Sequence, residues 1–327
     1  MSRWDISPLA QGFEPWVSRS PHDPRSPGGE TDPGFAAHTH NEESWKHGRP
    51  DERYNNPVTQ PSGPAIDLAR TSTVYGPVPS WRVGASLGVD LICVNSVCSF
   101  NCSYCQLGNI QIRTNQRRLF VPTAKVLEDL ERSDWRSADI ITFSGSGEPT
   151  LALNLGEAIV AIRERTCKPT LVLTNGTLLG DREVRKELGD SERVFVKLDA
   201  ATDDTLRRVN RPVEGVTLEG IVDAASRFRE EYSGRLGLQM MFLPNSRDAL
   251  GDYVRLIRRI RPNEIQINTP TRPYPDGWYL ASRGSHEGVD YPARPLKPLS
   301  AERLREIEEQ LSSQFPDVEI KGVRPRT

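Results

Sequence analysis

Three of the chain's five cysteines fall within eight residues, in "CSFNCSYC", as Cys98, Cys102 and Cys105. In a reducing compartment disulfides are rare, and thiolates this close together more often hold a metal. A structural zinc site closes with four ligands, typically including a second Cys or His pair downstream. None is available here. Cys93 falls in an expected strand and Cys167 in a "TCKP" turn, and no histidine stands between His47 and His286. A ferredoxin-type cluster also takes four cysteines. Three thiolates make sense for a 4Fe-4S cluster with one iron left open. An open position is what separates catalytic metal sites from closed ones. A zinc-holding or cluster-holding binding protein without catalysis is the competing reading.

The elements that must position these thiols can be read around them. Short apolar runs predict strands at 85–94, 139–145, 170–176, 193–200, 236–244 and 263–270. Helical spacing predicts helices at 123–132 (with Thr123 as N-cap), 153–165, 181–188, 218–232 and 248–260. This alternation implies an α/β fold with a parallel sheet and right-handed crossovers. Chemistry in such folds collects at the C-terminal strand ends. Cys98–Cys105 follow the first strand, "SGSGEPT" the second, and Asn175 and Asp199 end the third and fourth. Lys197 and Asp199 share one strand face by alternation. Met240 and Met241 are expected as packing, and Cys93 and Cys167 as ordinary buried thiols.

The flanks differ from this core. Ten of the 26 prolines precede residue 65, apolar residues there show no period, and four histidines (His22, His38, His40, His47) lie among them. Residues 1–72 are therefore expected to be a disordered tail. Residues 276–327 are expected to be a C-terminal extension over the barrel, with a helix from Ser300 that turns Leu304, Ile307 and Leu311 inward and a short strand near Val318–Ile320. Net charge is −2, so no global pull toward nucleic acid or membrane is evident. No signal peptide and no run of about 20 apolar residues is present, and the expected compartment is the cytoplasm.

Five blocks in order carry a resemblance: "VYGPVPSWRVGASLGVDLI", "CSFNCSYCQLG", "FSGSGEPTL", "KLDA" with "LRRVNRP", and "IQINTPTRP". Together, over residues 73–275, they resemble the radical S-adenosyl-L-methionine (SAM) enzymes, in the branch grouped with wyosine-tRNA synthetases. The resemblance implies a partial (βα)6 TIM-like barrel. It implies that Cys98, Cys102 and Cys105 bind three irons of a 4Fe-4S cluster while SAM chelates the fourth. One electron then cleaves SAM into methionine and a 5′-deoxyadenosyl radical that abstracts hydrogen from a substrate. Tyr104 would lie near the adenine, and Ser146, Gly147 and Glu148 would receive the SAM amino group. Asn175, Lys197 and Asp199 would face its ribose or carboxylate. An electron donor such as flavodoxin or ferredoxin is implied.

The same residues also have plain structural readings. The glycines could form a strand-to-helix turn, Glu148 a helix cap, and Lys197 with Asp199 a buried ion pair. The substrate is not identified. Wyosine-type relatives carry further cysteines N-terminal to the motif, and this chain has none before Cys93. Basic runs at 113–118, 207–211 and 255–261 keep tRNA modification open as an alternative that is not favoured.

Overall fold

The computed structural model describes residues 67–244, 248–284 and 290–322. The four tail histidines and His286 lie outside them. Within the described residues, eight strands form one curled sheet. In chain order it contains β1 (Val74–Ser80), β2 (Gly84–Val89), β3 (Ile140–Phe143), β4 (Thr170–Thr174), β5 (Arg193–Lys197), β6 (Arg235–Met241), β7 (Glu264–Asn268) and β8 (Glu319–Gly322). Strands β2 to β8 run parallel, and β1 pairs antiparallel with β2 as a hairpin. The six expected strands are β2 to β7. The two outer strands add to the six-fold core.

Helices cover the convex face: α1 (Thr123–Glu131), α2 (Leu155–Thr166), α3 (Arg182–Leu188), α4 (Leu218–Glu231), α5 (Leu250–Ile260) and α6 (Ala301–Gln314). Strand residues alternate, so Ile141, Phe143, Val172, Val194, Val196, Leu238, Ile265 and Ile267 meet these helices in one continuous core. The opposite set faces the concave side. Helix α6 starts at Ser300, whose hydroxyl accepts from the Arg303 N–H, and it buries Leu304, Ile307 and Leu311. Strand β8 then pairs with β7 and extends the sheet.

Several local expectations need correction. Strand β2 stops at Val89, because the Asp90 carboxylate accepts from the Ile92 and Cys93 N–H groups at 3.0 Å each and turns the chain. Cys93 therefore lies past the strand, at φ 60°. Thr123 does not cap α1. Pro122 occupies that position, and the Thr123 hydroxyl accepts from Asn154 at 2.9 Å. Cys167 is exposed rather than buried, in the left-handed turn that ends α2.

The first described residues are anchored to α1. Thr73 donates from its N–H (2.8 Å) and hydroxyl (2.9 Å) to the Asp129 carboxylate, which also receives Lys125 at 2.5 Å. Burial alone would raise this carboxyl, but the hydrogen bonds from Lys125 and Thr73 outweigh it and hold its pKa below the ordinary value. A depressed carboxylate contributes stability above its unfolded pKa and loses it as pH falls through the folded one. We therefore expect Asp129→Asn to cost about 1–3 kcal/mol at neutral pH. The deficit should shrink below about pH 4 in urea denaturation, and a deficit independent of pH would contradict this role.

Candidate functional site

The loop after β2 has little regular structure of its own, so its peptide groups must pair with neighbours. On one side lies the β3–α2 loop. The Val97 N–H donates to the Ser146 carbonyl at 2.9 Å, and the Glu148 N–H donates to the Val97 carbonyl at 3.0 Å. Gly147 sits between them, where a Cβ would fall 1.7 Å from the Val97 oxygen. Only glycine allows that approach. On the other side lies the turn Leu206–Asn210, a single π-helical segment that ends at Arg211 with φ 48°. The Asn101 and Ser103 N–H groups donate to the Asn210 and Val209 carbonyls at 2.9 and 2.8 Å. A π-turn in this position is a frequent mark of functional sites.

The three thiols meet between these supports. The Cys98 sulfur accepts from the Phe100 N–H at 3.3 Å and from the Asn175 amide at 3.5 Å. The Cys102 sulfur accepts from the Asn210 amide at 3.4 Å. Burial pushes all three thiols up, Cys102 to about 12, and at Cys98 and Cys102 the charge of neighbouring cysteines adds to it. Among the described residues, no three Cys, His, Asp or Glu side chains close around a single ion. Three thiols within electrostatic reach of one another, with amide N–H groups aimed at two sulfurs, instead fit a multi-iron cluster. Its positive irons would hold them as thiolates, and hydrogen bonds to sulfur would tune it.

Each of the other expected site residues is placed at these strand ends. Glu148 is buried and accepts four hydrogen bonds: from the Thr150 N–H (3.2 Å) and hydroxyl (2.7 Å), the Thr174 hydroxyl (2.6 Å) and the Asn175 N–H (2.7 Å). Burial pushes its carboxyl up against the pull of those bonds. The Asn175 amide also reaches the Ser99 hydroxyl at 2.8 Å. Ser146 donates through its hydroxyl to Asp90 at 2.6 Å. Asp199 accepts from the Tyr104 hydroxyl, from Asn210 at 2.8 Å and from the Met241 N–H at 2.9 Å. Lys197 lies 3.4 Å from Asp199 and 5.3 Å from the centre of the Tyr104 ring. The two structural readings, Glu148 as a cap and Lys197–Asp199 as an ion pair, are both realised. Within that pair the Asp199 side chain is fully enclosed, while Lys197 keeps 24% of its side chain exposed.

The sequence reading gave no role to Asp90, Ser99, Asn210 or Arg283. Asp90 anchors Ser146, caps the turn at Cys93 and pairs with Arg283 at 3.1 Å. Arg283 also donates to the Ser72 carbonyl at 2.7 Å. The signal for Asn210 was present in "LRRVNRP": a helical start halted by Asn-Arg-Pro. The link from Asp90 to Arg283 spans 193 residues and leaves no local pattern.

Residues 92–257, just over half the chain, match the sequence profile of the radical SAM superfamily. The chain belongs to that superfamily. It is a radical SAM enzyme, and its cofactors are a 4Fe-4S cluster and SAM. Among curated proteins it is 46% identical over 243 residues to a UPF0026 protein of Synechocystis sp., covering 73% of this chain and 92% of the relative. It is 31% identical over 206 residues to a UPF0026 protein of Methanocaldococcus jannaschii, covering 61% and 64%. Among solved structures it resembles Streptococcus suis SuiB bound to precursor peptide SuiA (TM-score 0.51, 14% identity, 72% of this chain and 48% of that one). It also resembles TYW1 with a lysine-pyruvate adduct bound (TM-score 0.51, 17% identity, 71% of this chain and 75% of that one). At these identities the structural likeness shows the fold alone. Among the described residues, no helix is long and apolar enough to cross a membrane.

The hydrogen bonds to sulfur generate a prediction. With Cys102 in the expected role of cluster ligand, removing an N–H donor from its sulfur would leave the added electron less stabilised. Asn210→Ala in reconstituted protein should therefore keep its iron but shift the cluster potential to a more negative value in a spectroscopic redox titration. An unchanged potential would contradict the Asn210 contact.

Proposed function

We propose that this enzyme uses Cys98, Cys102 and Cys105 to hold the 4Fe-4S cluster, and that it generates a 5′-deoxyadenosyl radical to abstract hydrogen from a substrate still to be identified. The observation that carries the reading is the convergence of the three thiols at the C-terminal strand ends, between two loops whose amides point at sulfur. When bound, cluster and SAM together supply the radical. The chain's own residues position and enclose them. Gly147 brings the β3–α2 loop against the cysteine loop, and Glu148 fixes Asn175 over Cys98. Tyr104, Ser146, Asn175 and Asp199 are already engaged by protein partners, so we assign them to shaping the SAM pocket. Lys197, partly exposed, is the side chain we assign to an anionic group of SAM.

Membership of the branch grouped with wyosine-tRNA synthetases is part of this proposal and rests on the five ordered blocks. A tRNA substrate is not favoured, because arginines of the basic runs at 113–118 and 255–261 are engaged by the protein itself. Arg113 donates to the Arg211 and Pro212 carbonyls, and Arg117 to Glu187 and the Thr150 carbonyl. Arg255, Arg259 and Arg261 pair with Asp252, Glu219 and Glu230. A reductant is required, and we assign that role to a flavodoxin or ferredoxin.

The test is anaerobic reconstitution, dithionite reduction with SAM, and chromatography for 5′-deoxyadenosine. We expect the wild type to bind about four irons and release the nucleoside. Cys102→Ala should lose the cluster and the cleavage while keeping its fold by circular dichroism. A Cys102→Ala protein that cleaves SAM at the wild-type rate would overturn the assignment.

A further inference from the structure

The concave face of the sheet carries a second polar assembly, separate from the thiols. Ile140, Leu171 and Phe195 fill part of that face with a small apolar cluster. Further along it the wall is polar, with Gln239 donating to Gln266 at 3.0 Å. The sheet does not close into a full barrel: β1 and β8 are its two edges. Arg82, in the β1–β2 turn, reaches Asn268 at the C-terminal end of β7 and donates through Nη2 to its Oδ1 at 3.0 Å. The Arg82 Nε is buried and has no hydrogen-bond partner among the described residues. The guanidinium also lies 5.0 Å from the centre of the Trp81 ring.

Arg272 follows β7 on the same side. It donates to the Gln106 side chain, next to Cys105, and to the Gly284 carbonyl at 3.3 Å. Its partners, like that of Arg82, are neutral oxygens; among the described residues neither arginine has a carboxylate in ion-pair contact. Burial first, and then the charge of Arg272, lowers the Arg82 pKa to about 10. Burial of its guanidinium lowers that of Arg272 as well, although its residue surface stays solvent-accessible.

Arg272 is exposed, but the Arg82 guanidinium, with its buried Nε, departs from the way enclosed arginines are paired elsewhere in the chain. Arg283 has Asp90, Arg117 has Glu187 and Arg185 has Glu231. Buried charges are paired in native proteins, and a buried donor without a partner needs an explanation. Two guanidiniums near one another, one with an unused buried N–H, match an anion whose oxygens accept from both.

We propose that Arg82 and Arg272 form a receptor for an anionic group, phosphate or carboxylate, on the molecule that shares the barrel with SAM. This names the chemical class of the substrate and rests on the radical SAM reading above. Arg272 bonds to the residue after the third cysteine, so the anion is held on the cluster side of the barrel, where a substrate must present its hydrogen.

The test is calorimetric titration of the full-length reconstituted protein with inorganic phosphate, and separately with succinate, in low-salt buffer. Wild type should bind at least one of the two, and the preferred probe distinguishes phosphate from carboxylate. Arg82→Gln and Arg272→Gln should each weaken binding about tenfold or more. Arg227→Gln, at a distant helix position, should not. If Arg82→Gln fails to fold, Arg272→Gln carries the test. Equal affinity in wild type and variants, or no binding of either probe to wild type, overturns the proposal. Titration is repeated with SAM present. Retained binding assigns the anion to a second molecule, whereas competitive loss assigns the arginines to the SAM carboxylate and overturns the proposal. Nucleoside release by wild type is read separately. Arginine-dependent binding without SAM cleavage would keep the anion receptor and remove the radical reading. Cleavage with arginine-independent binding would do the reverse.

Discussion

A loop with almost no regular structure has to carry three buried or half-buried thiols without leaving its own peptide groups unpaired. That constraint organises everything around it. Burying an unpaired N–H or C=O costs as much as losing a hydrogen bond, so the loop borrows partners from the strand-end loops on either side. Val97 pairs with the chain at Ser146 and Glu148, and Asn101 and Ser103 pair with the π-turn at Val209 and Asn210. The sheet is needed because it brings the ends of β3 and β5 to the two flanks of the loop in fixed register.

Three carboxylates complete the arrangement, each by gathering donors rather than by facing solvent. Glu148 ties β3 to β4 through Thr174 and Asn175. Asp199 ties the cysteine loop, through Tyr104, to the π-turn and β6. Asp90 ties β2 to the segment at Arg283. Each is enclosed and fully used, and charge-assisted bonds of this kind are the strong ones. Among the described residues, Arg82 and Arg272 are left with neutral oxygens as partners rather than a carboxylate.

The parts legible in the sequence were those with a local signature. Strands β2 to β7 announce themselves as short apolar runs, and the helices as amphipathic spacing. The cysteine spacing and "SGSGEPT" are local signals too, and both fall at the strand ends where the three thiols meet. What could not be read was long-range pairing. The end of β2 was misjudged because "DLICV" is as apolar as a strand, and only the Asp90 side chain breaks it. Thr123 looked like a cap until Asn154, 31 residues on, claimed its hydroxyl. Strand β1 was hidden by its glycine and prolines, which an edge strand tolerates.

The same long-range pairing sets an order of events during synthesis. Cys98, Cys102 and Cys93 leave the ribosome well before the groups that hold them. Asn175 is 77 residues beyond Cys98, Asn210 is 108 beyond Cys102, and Arg283 is 190 beyond Cys93. A sheet whose neighbouring strands are consecutive in the chain can grow as the chain emerges, yet contacts of such separation form late. Cys98 and Cys102 therefore gain their amide partners only once the chain through Asn210 has docked, and Cys93 gains its own last, when Arg283 arrives.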